Sequence, residues 1–352
     1  MRHKYYLVTG GLGLIGSHLT KKIYKKDKDA KIIILDNFTV YIDPLYQGNR
    51  DHRKDRFKDI INAKEYRNSK SKRIFVERGS VQDPKIVIEL LQKYKPEMIF
   101  HTAAMPLARL KNAIVKEFRE GSVDTTSNLL ECVKYVQDIS KYKLKRFLYI
   151  SSSMVYGDFK KKYVTEDDIK RPIEIYGTMK LAGEVVTKGM CKEYKIPYNI
   201  IRPSAVYGPT DMNYRVSQYF IEKAFSKEKI NIHGKKEALD FTYIDDLVDG
   251  CWLAANSERG KNETFNITFG KARTLYEYVQ ILKTYFKDLK YEVQKRDDKR
   301  PKRGTLKNDK ARKILGFKPK VNLEKGIKLY LEYFNKKNEN YCWSWLESPW
   351  RY

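Results

Sequence analysis

The chain is poor in the residues that staple or ligate. Its four cysteines, Cys132, Cys191, Cys251 and Cys342, stand far apart with no Cys-x-x-Cys pair, which argues against a disulfide framework and a zinc knuckle alike. The histidines His3, His18, His52, His101 and His233 show no ligand spacing, and no metal is expected. Long apolar runs are missing too. Nothing approaches the roughly 18 residues of a spanning helix, and no apolar leader stands before the first strand, so a soluble, cytoplasmic protein with no membrane partner is expected. Acidic residues are short: 44 Asp and Glu face 71 Lys and Arg, a formal charge of +27 over 352 residues. Such a charge can mark nucleic acid, an acidic membrane or a phosphorylated substrate as partner. The lysines are spread over almost every expected helix rather than gathered in one stripe, so solvated basic faces are the weightier reading and nucleic acid is not the expected partner. The densest patches are 50–58 and 295–303.

What the chain does have is concentrated at its start. Tyr5 to Val8 is a compact apolar run bounded by glycine, as a buried parallel strand would be. From Ser17 the spacing is helical, with Leu19 and Ile23 on one face. Between the two, Gly10, Gly13 and Gly16 stand three apart. The first allows a tight turn, the second lets main-chain N–H groups approach a pyrophosphate, and the third lets the helix pack on the strand with its N-terminus facing the anion. A second apolar run, 31–35, ends at Asp36, twenty positions past Gly16. A carboxylate there binds the two ribose hydroxyls of an adenosine and repels a 2′-phosphate, which predicts NAD rather than NADP.

Further strands are expected at 73–77, 96–101, 145–150 and 199–202, alternating with helices that open at Pro84, near Thr125 and near Pro172. This rhythm predicts an α/β fold, a doubly wound parallel sheet that binds ligand at the carboxyl ends of its strands. A basic helix is expected around 53–63, and short strands at 240–246 and 265–267. Residues 1–203 and 240–258 are expected to form the nucleotide domain, and 204–239 with 259–352 a smaller substrate-binding lobe ending in an aromatic tail, 341–350.

Tyr176 and Lys180, four apart on a helix, share a face. Spacing alone says little here, because Tyr-x-x-x-Lys also begins at Tyr24, Tyr66, Tyr156, Tyr219, Tyr291 and Tyr333. Position selects Tyr176: its helix follows a strand that runs out into Ser151-Ser-Ser153 at the expected cofactor edge. Tyr156 is the rival, placed in a turn without helical continuation to Lys160. A phenol with an ordinary pKa near 10 serves as a base near neutrality only if a cation stabilises its phenolate. Lys180 is the neighbour expected to do so.

Taken together, Thr9-Gly-Gly-Leu-Gly-Leu-Ile-Gly16, Asp36-Asn37, His101-Thr-Ala-Ala104, Ser151-Ser-Ser-Met-Val-Tyr-Gly157, Tyr176-Gly-Thr-Met-Lys180, Arg202-Pro-Ser-Ala-Val-Tyr-Gly-Pro209 and Phe241-Thr-Tyr-Ile-Asp-Asp246 resemble the extended short-chain dehydrogenase/reductases, the NAD-dependent epimerase/dehydratase group acting on nucleotide sugars. The resemblance implies a Rossmann-type fold with a smaller C-terminal lobe. It implies catalytic roles for Ser152, Tyr176 and Lys180, and NAD contacts at Gly10, Gly13, Leu14, Ile15, Gly16, Asp36, Asn37, Ser80, Val81, Ala103, Ala104, Tyr176, Lys180 and Pro203. A nucleotide-diphosphate sugar is the implied substrate, with Ser153, Ala205, Arg215 and Arg300 as its contacts. A homodimer through helices at roughly 110–136 and 174–193 is also implied.

Within that group, dehydratases carry acids at the strand end where this chain has Ser152-Ser153-Met154, so an epimerase of the UDP-glucose 4-epimerase type is the expected member. A dehydrogenase or 4-keto reductase would use the same residues, and a non-catalytic dinucleotide-sensing or RNA-binding relative is the reading of a different class. The chain departs from the family pattern at Ser122, Ala205 and Leu239. Two of these places commonly touch the diphosphate, and Arg215, Arg300 or Arg303 could supply the missing charge.

Overall fold

The protein is described from a computed structural model covering residues 4–39, 56, 73–105, 115–211, 215–298 and 300–338. Its centre is a seven-stranded sheet. In chain order the strands are β1 (Lys4–Thr9), β2 (Ala30–Asp36), β3 (Ile74–Arg78), β4 (Met98–His101), β5 (Arg146–Ile150), β6 (Tyr198–Arg202) and β7 (Glu263–Asn266). Their spatial order is β7-β6-β5-β4-β1-β2-β3, and every pairing is parallel. The order reverses between β1 and β4, which opens a crevice at the carboxyl ends of those two strands.

Side chains alternate across this sheet, because successive residues of a strand point to opposite faces. Tyr6, Val8, Ile32, Ile34, Phe100, Leu148 and Ile201 enter one core, and Leu7, Ile33, Leu35, Ile99, Phe147 and Ile200 enter the other. Helices α1 (Leu14–Lys26) and, later in the chain, Ile244–Asn256 cover the first face. The second is covered by α2 (Pro84–Tyr94), α3 (Thr125–Asp138) and α4 (Ile175–Glu193). Asp83 caps α2 through the Lys85 and Ile86 N–H groups, and Pro84 occupies the first turn, where a missing N–H costs nothing.

Two expectations are corrected. Of the stretch 240–246 only Thr242–Tyr243 is a strand, since Ile244 opens a helix whose first turn carries Asp245 and Asp246. The strand expected at 265–267 is β7. It belongs to the main sheet beside β6, so the sheet reaches past the expected boundary at 258. Three short parallel ladders lie beyond the sheet, Val206–Tyr207 with Thr242–Tyr243, Ile230–His233 with Tyr291–Gln294, and Tyr163–Val164 with Thr305–Leu306. The basic helix expected at 53–63, Arg56 apart, and the aromatic tail 341–350 lie outside the described residues. No helix among the described residues is long and apolar enough to cross a membrane.

Candidate functional site

The glycine turn joins β1 to α1 against the end of β4. Gly10 has φ +64°, and a Cβ there would lie 2.7 Å from the Cα of Ala103; both the backbone angle and the close approach require glycine. At Gly16 a Cβ would overlap the Gly10 carbonyl oxygen, so helix and turn touch through bare backbone. Gly13 is different. Its Cβ would meet only the Gly10 oxygen, at 3.2 Å, which leaves its outer side open at the N-terminus of α1, a terminus with neither a side-chain cap nor an acidic residue in its first turn. That end fits an anionic pyrophosphate. Leu14 is buried and Ile15 half-buried beneath it.

Asp36 ends β2 beside this turn. One carboxylate oxygen accepts the Leu12 N–H at 3.0 Å and the other the Phe38 N–H at 2.8 Å, which orients the group while leaving lone pairs for hydroxyl donors. Exposed Asn37 accepts from Thr39 N–H. At the end of β3, Ser80 accepts from Gln82 N–H, and the carbonyl of buried Val81 accepts from Asn128 at 2.5 Å. Ala103 and Ala104 extend from β4, while Pro203 extends from β6 and accepts the Ser153 N–H at 2.9 Å. These residues all lie on the loops past the strand ends. Arg56, which nothing in the sequence singled out, is buried and donates to the carbonyls of Leu12 at 2.8 Å and Thr210 at 3.0 Å, tying the glycine turn to the segment after β6.

The candidate catalytic residues sit at the end of β5. Ser152 caps a short 3₁₀ turn, Ser153–Tyr156, by accepting from Met154 N–H at 3.1 Å, and its hydroxyl is close enough to the Tyr176 phenol to pull the phenol's pKa down. Tyr176 is the second residue of α4. At Gly177 a Cβ would lie 2.6 Å from the Met154 carbonyl oxygen, so the start of α4 rests directly on the serine turn. One turn further along, Lys180 is buried and donates to the Ile150 carbonyl at 2.9 Å. Behind them Arg202 makes a two-point pair with Glu184, at 2.8 and 2.6 Å, and Glu184 accepts from Ser151 at 2.5 Å. The rival Tyr156 belongs to this supporting layer: buried, it donates to Asn266 at 2.8 Å and accepts from Arg202 at 2.9 Å.

Electrostatics separate the roles. Burial raises the Tyr176 pKa, while the Arg215 guanidinium, the Ser152 hydroxyl and the Arg303 guanidinium pull it back. Arg215 and Arg303 are thus two cations that favour the phenolate. Lys180, whose nitrogen lies 6.0 Å from the centre of the Tyr176 ring, is turned to Ile150. Burial lowers Lys180 to about 7, against the pull of Glu184. His101, held by Thr9 at 2.8 Å, is pushed by burial down to about 3 and stays neutral.

The substrate residues divide. Ser153 and Arg215 lie at the site, Arg215 donating to the Val206 carbonyl at 3.2 Å. Ala205 holds φ +36°, a strained angle for a residue with a Cβ. Arg300 points away, exposed and paired with Asp297 at 3.0 Å. Arg303 is turned inward instead, onto Ser153, Met154 and Ser204.

Residues 6–268 match the NAD dependent epimerase/dehydratase family. A UDP-glucose 4-epimerase of Thermotoga maritima, solved with UDP-glucose, is 27% identical, with a TM-score of 0.80 over 95% of this chain and 99% of that one. A UDP-glucuronic acid 4-epimerase of Bacillus cereus, solved with UDP-glucuronic acid and NAD, is 25% identical, with a TM-score of 0.82 over 94% and 99%. A dTDP-D-glucose 4,6-dehydratase of Bos taurus is 26% identical over 346 residues, 96% of this chain and 90% of that one.

Proposed function

Since the chain belongs to the NAD dependent epimerase/dehydratase family, we propose that it is an NAD-dependent epimerase acting at carbon 4 of a UDP-linked hexose. The observation that carries this reading is the convergence of Ser152, Tyr176 and Lys180 at the end of β5. When bound, NAD supplies the acceptor and donor for the hydrogen that leaves one face of the sugar carbon and returns to the other.

The chain's own residues handle the proton and the oxygen. Tyr176, with Arg215 and Arg303 favouring its phenolate, takes the proton of the sugar hydroxyl and gives it back. Ser152 donates to the same oxygen while it is a carbonyl, where a fixed donor has most effect. Lys180 holds the strand end through Ile150 and presents a buried amine beside the phenol. Elimination of water needs a carboxylic acid at this place. The groups that act on Tyr176 are a hydroxyl and two guanidiniums, which supports epimerisation over dehydration.

A cytoplasmic homodimer is part of the proposal. Tyr135 on α3, Ile139 just past it and Val185 on α4 are 50, 54 and 64% exposed, apolar positions on the two helices expected to pair with a second copy. The lobe over the strand ends is assigned to 204–239 and to the residues after β7.

The test is a panel of UDP-, dTDP-, GDP- and CDP-hexoses offered to the NAD-loaded protein, with the configuration at carbon 4 read in the product. Interconversion of a UDP-sugar pair supports the reading; a 4-keto-6-deoxy product or a one-way oxidation contradicts it.

A further inference from the structure

Arg303 is clamped on both sides. Lys302 donates its N–H to Asp158 at 2.7 Å and its carbonyl accepts from Phe159 N–H at 2.8 Å. Two residues later Thr305 and Leu306 pair with Tyr163 and Val164, and the Leu306 N–H reaches Asp240 at 3.1 Å. Held this way, the Arg303 side chain runs inward to the hydroxyls of Ser153 and Ser204 and to the Met154 sulfur at 2.7 Å. Ser153 adjoins Ser152, whose hydroxyl acts on the Tyr176 phenol, and the guanidinium is near enough to Tyr176 for each to act on the other's ionisation.

Its partners do not match its charge. The contacts are two hydroxyls and a thioether, and the buried Nε has no hydrogen-bond partner. Glu174 and Asp240 are the opposite charges that act on it, yet Arg303 makes no ion pair among the described residues. Asp240 is occupied with the N–H groups of Leu306 and Gly270, each at 3.1 Å. A buried guanidinium held by neutral groups is under-compensated, and a planar oxyanion is the shape its fork completes. The diphosphate of a nucleotide sugar lies a sugar ring away from the reacting carbon, whereas Arg303 contacts Ser153, the neighbour of Ser152.

Resting on the epimerase reading, we propose that the sugar carries a carboxylate and that Arg303 selects it, receiving the carboxylate in the pocket formed with Ser153 and Ser204. A neutral hydroxymethyl group would leave the guanidinium without a counter-charge. Beside its influence on the Tyr176 phenolate, Arg303 is thus assigned to specificity, while Tyr176 moves the proton.

The experiment compares UDP-glucuronate with UDP-glucose as substrates of the NAD-loaded enzyme, with bound NAD measured for every variant. Wild type is expected to favour the acid in kcat/KM by roughly tenfold or more, and Arg303→Met to lower that ratio by about tenfold to a hundredfold, the range of a lost charge-assisted hydrogen bond. Arg303→Lys keeps the charge without the fork and is expected to give an intermediate ratio, which decides the matter if Arg303→Met does not fold. A wild-type preference for UDP-glucose, or a ratio unmoved in an NAD-loaded Arg303 variant, overturns the selection and leaves the epimerase reading standing. Turnover of neither sugar by NAD-loaded wild type removes that reading, and this proposal with it.

Discussion

The Lys180 side-chain nitrogen lies 2.9 Å from the carbonyl oxygen of Ile150, the last residue of the strand that feeds the serine turn. One bond thus links α4 to the edge on which Ser152 sits. Burial lowers this amine from 10.5 to about 7. With a folded pKa below the unfolded one, folding releases a proton between those two values. The group therefore costs stability in full below about pH 7, and the cost fades as pH rises toward 10.5. Measured without cofactor, the Tm of Lys180→Met relative to wild type is expected to be greatest near pH 6.5 and to decline steadily toward pH 10. A difference that does not change with pH contradicts the assignment.

Glu184 and Arg202 join α4 to β6 with both side chains almost wholly buried. Removing one partner leaves an uncompensated charge, so Glu184→Ala is expected to cost about 3–5 kcal/mol in urea unfolding. Glu184→Leu combined with Arg202→Met is expected to recover a large part of that loss. A double variant as unstable as the sum of its two single changes would show that the pair is not what holds these elements.

Two glycines with similar backbone angles should respond differently to alanine. Gly316, φ +67° at the end of helix Asp309–Leu315, has open space where a Cβ would go, so its loss is conformational, about 1 kcal/mol. Gly10, φ +64°, meets Ala103 backbone at 2.7 Å. Gly10→Ala is expected to destabilise more than Gly316→Ala and to weaken NAD at least about tenfold by calorimetry, because the turn must open. Unchanged NAD affinity in Gly10→Ala would place the dinucleotide elsewhere.

Asp36 accepts from Leu12 and Phe38 N–H groups, one on each carboxylate oxygen, and keeps lone pairs for further donors. Asp36→Ala is expected to weaken NAD far more than NADP, because the carboxylate both binds the ribose hydroxyls and repels a 2′-phosphate. Equal losses for the two dinucleotides would refute the ribose contact.

Much of this was legible because the sheet is buried on both faces, which makes its strands continuous apolar runs, and because the Gly10 turn and Asp36 obey fixed geometric spacing. Six of the seven strands and the place of Tyr176 follow from that. Less legible was anything decided by long-range pairing. β7 was readable as a strand, but not as the neighbour of β6. Arg56 looks in sequence like the many surface cations around it, and Arg303 could be read there only as one of three arginines able to meet a diphosphate; the fold shows one under the glycine turn and the other beside Ser153. Lys180, read as the cation of a phenolate, lies 6.0 Å from the centre of the Tyr176 ring and also donates to Ile150, a link that spacing alone did not show.

The central claim is that the Tyr176 phenol moves the sugar's proton. Its most direct test is Tyr176→Phe, loaded with NAD and offered a UDP-hexose. Epimerisation is expected to fall by about a hundredfold to ten-thousandfold, with NAD affinity held within roughly threefold, since the variant loses a general base and little else. An NAD-loaded Tyr176→Phe enzyme that interconverts the two sugars at the wild-type rate would contradict the account.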